Sequence, residues 1–161
     1  MVRHTEGMRI GDQAPDFALP DQTGAVRTLS ELLNDGPVVL FFYPAAFTPG
    51  CTKEACHFRD LAAEFAAAGV QRIGISRDDV AKQGRWTEEH GLDYPLLADV
   101  DGAVSQRYGV SRSGLLKLAG LPIKRTTFAI TADGRVAGII SSEVNMTVHA
   151  DKALAALAAM A

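Results

Sequence analysis

From Pro37 to Tyr43 the chain reads PVVLFFY, a run of β-branched and aromatic residues with no polar break. That is the pattern of a strand covered on both faces inside a parallel sheet. After the turn residues Pro44 to Gly50, Cys51, Ala55, Phe58, Leu61, Ala62 and Phe65 recur at helical spacing. They predict a helix that begins at about Cys51 and stops at Gly69. Val70 to Ser76 (VQRIGIS) predicts the next strand, and Asp78 to His90 a helix closed by Gly91. Further on, Thr126 to Thr131 and Arg135 to Ile140 flank Ala132, Asp133 and Gly134, the composition of a hairpin turn between two strands. Thr147 is placed to cap a last helix whose apolar face carries Ala150, Ala153, Leu154, Leu157 and Ala158. Alternating strands and helices followed by a hairpin and a helix indicate an α/β sandwich around a mixed sheet.

Composition narrows the class. A chain of 161 residues is long enough for one domain with its own core, expected over residues 8–161 behind a loose tail at 1–7. With 47% hydrophobic and 22% charged residues, the chain is not a disordered one. A net charge of -3 supplies no basic field for a polyanion, which argues against nucleic-acid binding. No run approaches the ~18 apolar residues of a membrane span, and MVRHTEGM lacks the apolar core of a secretory signal, so a cytoplasmic protein is expected. In that compartment the two cysteines, Cys51 and Cys56, are kept as thiols, and a reactive pair is a better reading than a structural disulfide.

The candidate chemistry lies where the central strand meets the helix. A cysteine in the first turn of a helix meets unpaired N–H groups and the positive end of the backbone dipole, both of which favour thiolate over thiol. Cys51 is placed there, on the face that looks into the domain. Thr48 offers a hydroxyl to a bound oxygen or to a turn N–H, and Pro44 removes a backbone donor and shields the sulfur. Taken singly, these residues are equally well a buried core thiol, a helix cap and turn punctuation.

Pro44, Thr48 and Cys51 together resemble the Pro-x-x-x-Thr-x-x-Cys signature of peroxiredoxins, and TPGCTKEACHFRD is similar to the bacterioferritin-comigratory (PrxQ) branch of that family. The resemblance runs from GDQAPDFALPDQTG through KRTTFAITADGRV to the last helix. It implies a thioredoxin-like fold with an N-terminal extension, a peroxidatic role for Cys51, a resolving role for Cys56 and an active-site arginine at Arg125. It further implies a hydroperoxide substrate, a thioredoxin or similar thiol reductant as partner, no cofactor, and a monomeric or dimeric protein. Two features depart from the branch: Phe47, preceded by Ala45 and Ala46, makes the site mouth more apolar, and residues 111–124 (SRSGLLKLAGLPIK) are apolar for a connection, as in a short buried helix. Either feature would tilt preference toward organic hydroperoxides.

Helix geometry sets a condition on the second step. Residues five apart on an intact helix have Cα atoms about 8.6 Å apart and point roughly 140° away from one another. A disulfide spans at most ~7 Å between Cα atoms, so joining Cys51 to Cys56 requires the helix to unwind. Other chemistries fit less well. A thioredoxin-type reductase uses Cys-x-x-Cys, whereas TKEA separates these cysteines. A zinc site needs more ligands than His57, since His4, His90 and His149 are scattered; His57 reads as a residue of the polar helix face. A redox sensor or holdase switched by Cys51, and a one-cysteine peroxidase using an external thiol, stand as alternatives.

Overall fold

The computed structural model describes residues 7–112 and 122–160. Residues 1–6 of the expected tail, and most of the apolar 111–124 segment, lie outside the described residues. A small antiparallel pair, β1 (Ala18–Pro20) and β2 (Val26–Thr28), leads into the short helix α1 (Leu29–Leu32). The main sheet follows: β3 (Val38–Phe42), β4 (Gln71–Ser76), β5 (Leu96–Ala98), β6 (Thr126–Ile130) and β7 (Val136–Ser141), in the order β5-β4-β3-β6-β7. β3, β4 and β5 run parallel; β6 and β7 run antiparallel to β3 and to each other. The sheet is therefore mixed, and β3 is the seam between its two halves. Around it lie α2 (Pro49–Asp60), α3 (Ala62–Ala68), α4 (Val80–His90), α5 (Ala103–Arg107) and α6 (Val148–Met160).

All five residues of β3 are fully buried, as its unbroken apolar run requires. Pleating sends Val39 and Phe41 into a cluster with Phe58, Phe65, Trp86, Ala150 and Ala153, beneath α2, α3, α4 and α6. Val38, Leu40 and Phe42 enter the opposite cluster with Leu29, Ile75, Val104 and Tyr108. The Phe41 ring stacks on Phe58 at 4.2 Å with 6° between planes, which fixes α2 against the central strand.

Several element boundaries differ from the pattern-based expectation. α2 starts at Pro49, not Cys51, because proline is well suited to the first helical position, where its missing N–H has no acceptor to lose. The helix expected to continue to Gly69 is interrupted at Leu61, whose ψ of 19° ends α2 before α3 resumes. Gly69 then closes α3 in the left-handed conformation. α4 begins one residue after Asp79, whose side chain accepts the Lys82 N–H as its N-cap; Asp78 stays outside the helix. β7 runs Val136–Ser141, one residue later than expected, and Ala137 is bulged where the register with β6 shifts between Ala129 and Ile130. Thr147 directly precedes α6, and its hydroxyl donates to Asn145 Oδ1.

Candidate active site

β3 ends beside the start of β6, with Phe42 opposite Thr126. This register brings Arg125, the residue before β6, to the turn that follows β3 and the first turn of α2. Arg125 Nη2 donates to Cys51 Sγ at 3.3 Å, and Nη1 donates to Glu54 Oε1 at 2.8 Å. Cys51 is 1% exposed, Glu54 0% and Arg125 6%, so the three form one closed cluster. That burial leaves no room for the plainer reading of Arg125 as a solvated surface cation. Its Nε finds no hydrogen-bond partner, and Glu143 Oε1 lies 4.0 Å from it. Glu143 is half-exposed, accepts the Arg125 backbone N–H at 3.0 Å, and pairs with Arg112.

Thr48 takes the N-cap position of α2, but its side chain makes no capping bond. Its hydroxyl donates instead to the Ala45 carbonyl at 2.8 Å, closing the turn. The first N–H groups of the helix, next to Cys51, are thus left without a side-chain acceptor from the cap. Pro44 is buried directly after Tyr43 at the end of the central strand. The turn between them and the helix is held from the side by Asp78, whose Oδ2 accepts the Ala46 N–H at 2.7 Å. Phe47 sits 42% exposed with φ of 68°, a left-handed backbone that is unusual for a bulky residue and is often found at functional turns. Gly50 allows close approach: a Cβ there would lie 3.3 Å from Arg125 Nη2 and 3.5 Å from Met146 Cε.

Cys56 is not gathered into this cluster. It lies on the same unbroken helix, partly exposed, and both cysteines are free. His57, expected simply on the polar face, bonds Asp151 Oδ1 through Nε2 at 3.1 Å and so ties α2 to α6.

Glu54 and His149 were missed as site residues by the sequence reading. Glu54 carried a signal, since three residues after Cys51 it shares a helix face with it. His149 carried none, being remote in the chain and in a different helix. Burial pushes the Glu54 carboxyl up to about 8, even against the Arg125 guanidinium that draws it down. Burial pushes His149 down. Arg125 is raised: burial works against its charge, but Glu54 and Cys51 outweigh it. Among the described residues no group of three or more His, Cys, Asp or Glu could hold a metal ion.

This geometry of a buried cysteine at a helix start, facing a buried arginine, sits on a thioredoxin-like peroxiredoxin frame. Residues 10–139 match the model of the AhpC/TSA family, and the chain belongs to that family. Within it the similarity is to proteins of the bacterioferritin-comigratory type. The crystal structure of peroxidoxin BcpB from Mycobacterium tuberculosis superposes with a TM-score of 0.89 at 58% identity, covering 96% of this chain and 99% of that one. Peroxiredoxin Bcp of Escherichia coli is 39% identical over 80% of this chain and 83% of its own length. The Xanthomonas campestris bacterioferritin comigratory protein, whose structures address alkyl peroxide reduction, superposes with a TM-score of 0.79 at 33% identity over 89% of this chain and 90% of that one. The chain is a thiol-dependent peroxidase acting on hydroperoxides.

Proposed function

We propose that Cys51 is the attacking sulfur, with Arg125 as its principal electrostatic partner. The observation that carries this reading is the charge-assisted contact from Arg125 Nη2 to Cys51 Sγ in a site closed to water. The Cys51 thiolate attacks one peroxide oxygen and the O–O bond breaks. The electron pair departs on the other oxygen, which takes a proton and leaves as water or an alcohol. Cys51 is oxidised by two electrons to the sulfenic acid. Negative charge builds on the departing oxygen, where the Arg125 guanidinium, the N–H groups at the start of α2 and the Thr48 hydroxyl converge around Cys51 to receive it. To serve there, Thr48 must turn its O–H away from the Ala45 carbonyl.

Cys56 then displaces hydroxide from the sulfenic sulfur, giving water and a Cys51–Cys56 disulfide, which a thioredoxin-like dithiol reduces by exchange. A compartment that keeps such a donor reduced, the cytoplasm, suits this cycle. The exposed ring of Phe47 beside the site favours organic hydroperoxides alongside hydrogen peroxide. Cys51→Ser tests the reading, because a hydroxyl ionises far less readily than a thiol: peroxide consumption should vanish while the far-UV dichroism stays native. Persistent turnover in that variant would exclude Cys51 as the nucleophile.

A further inference from the structure

The closed cluster holds one cation and too many candidate anions. Arg125 faces Cys51 Sγ and Glu54 Oε1 together, and both are buried with it. The other oxygen of Glu54, Oε2, has no hydrogen-bond partner and lies 3.5 Å from His149 Nδ1, itself fully buried. His149 Nε2 is 2.9 Å from the Ser142 carbonyl, which only accepts, so Nε2 carries hydrogen. Nδ1 also lies 2.8 Å from Thr127 Oγ1, so that in a neutral ring its single lone pair is shared between the Thr127 hydroxyl and an O–H on Glu54. A carboxylate oxygen with no donor is disfavoured in a dry site, which favours a proton on Glu54 at the oxygen that faces His149.

We propose that Glu54 and His149 hold one proton in reserve behind Arg125, leaving Cys51 as the sole buried counter-charge, and that this proton is given up when Cys51 is oxidised. The charge balance supports the exchange. Before attack the cluster holds the guanidinium, the thiolate and a neutral carboxyl. After attack the sulfur is a neutral sulfenic acid, and a carboxylate at Glu54 restores the balance. The proton lost from Glu54 equals the proton that the departing alkoxide or hydroxide must gain, so the step closes without a net change of buried charge. Burial, which disfavours an ion pair relative to two neutral partners, places the proton on the carboxyl rather than on the imidazole. The charged and titratable groups around Glu54 are Cys51 on its own helix, Arg125 just before β6, His149 on α6, Tyr94 before β5, and Glu143, half-exposed, after β7. His149 acts here as a positioning residue.

This inference rests on Cys51 being the attacking sulfur. Its test reads the proton itself. Cys56→Ser protein, stopped at the sulfenic acid and verified by mass, is oxidised by one equivalent of hydroperoxide at pH 7 in weak buffer with an indicator dye. The expected result is no net proton uptake with Glu54 intact, and uptake of about one proton per Cys51 oxidised in Glu54→Gln, whose amide has none to release. Equal uptake in both proteins overturns the proposal. In parallel, infrared difference spectra of the same reaction should lose a protonated-carboxyl band that Glu54→Gln lacks from the start. In His149→Leu, which removes the acceptor, that band should lie at higher frequency in the reduced protein, and a band at unchanged frequency there removes His149 from the pair. Because the reduced-state band does not depend on turnover, failure of the proton reserve is distinguishable from failure of Cys51 as nucleophile.

Discussion

A guanidinium is matched to its place at this site by shape as well as charge. Arg125 divides its two terminal nitrogens between sulfur and carboxyl, a fork that a single ammonium cannot reproduce. Arg125→Ala should slow the oxidation of Cys51 by roughly 100- to 1000-fold, the usual loss when an electrostatic partner of a transition state is removed. Arg125→Lys should recover only part of that loss. The melting temperature should move much less than the rate, because a protonated Glu54 is not left behind as a bare charge. Stopped-flow fluorescence and thermal melts of the same preparations check both halves. An unchanged oxidation rate in Arg125→Ala would return this residue to a structural role.

At the scale of elements, α2 has two opposed tasks. Intact, it presents Cys51 to Arg125 and is pinned to β3 by the Phe58–Phe41 stack and to α6 by the His57–Asp151 contact. The proposed resolution by Cys56 requires its first turns to open. Oxidation should therefore speed amide exchange from about Cys51 to Phe58, measured by mass spectrometry, whereas Cys56→Ser should keep the first oxidation, accumulate sulfenic acid and leave that protection in place. A disulfide that forms without loss of protection would contradict the unwinding step. The elements themselves were largely legible in sequence: PVVLFFY announced a doubly covered strand, and Pro44, Thr48 and Cys51 announced the site turn. The break at Leu61 was not, because AAEFAAA continues a good helical pattern and the interruption is a matter of local backbone angles. Nor was the Glu54–His149 contact, which arises from packing α6 against α2, a relation with no local signature.

For the whole molecule, the buried cluster ties stability to pH. The Glu54 carboxyl is raised from 4.5 to about 8 on folding, so between these values the folded state binds more protons than the unfolded, and stability falls as pH rises through the window. His149 is lowered from 6.5, which has the opposite slope: its contribution is present above 6.5 and is lost as pH falls through the lower folded value. From pH 6.5 to 8 only the first effect operates between these two residues, so the urea midpoint should decline across that interval and the decline should flatten in Glu54→Gln. A wild-type midpoint that rises there would contradict the raised carboxyl. The same architecture has a consequence for how the protein is made. Because β6 turns back against β3, the group that faces the reactive sulfur lies 74 positions downstream of it. On the ribosome, Cys51 emerges long before Arg125, and the seam strand waits with one edge open until the hairpin arrives. A half-synthesised chain thus carries its thiol without the cation proposed to stabilise the departing oxygen. It should pass through an oxidising burst largely untouched, acquiring its sensitivity to peroxide only as the last third of the chain closes the sheet.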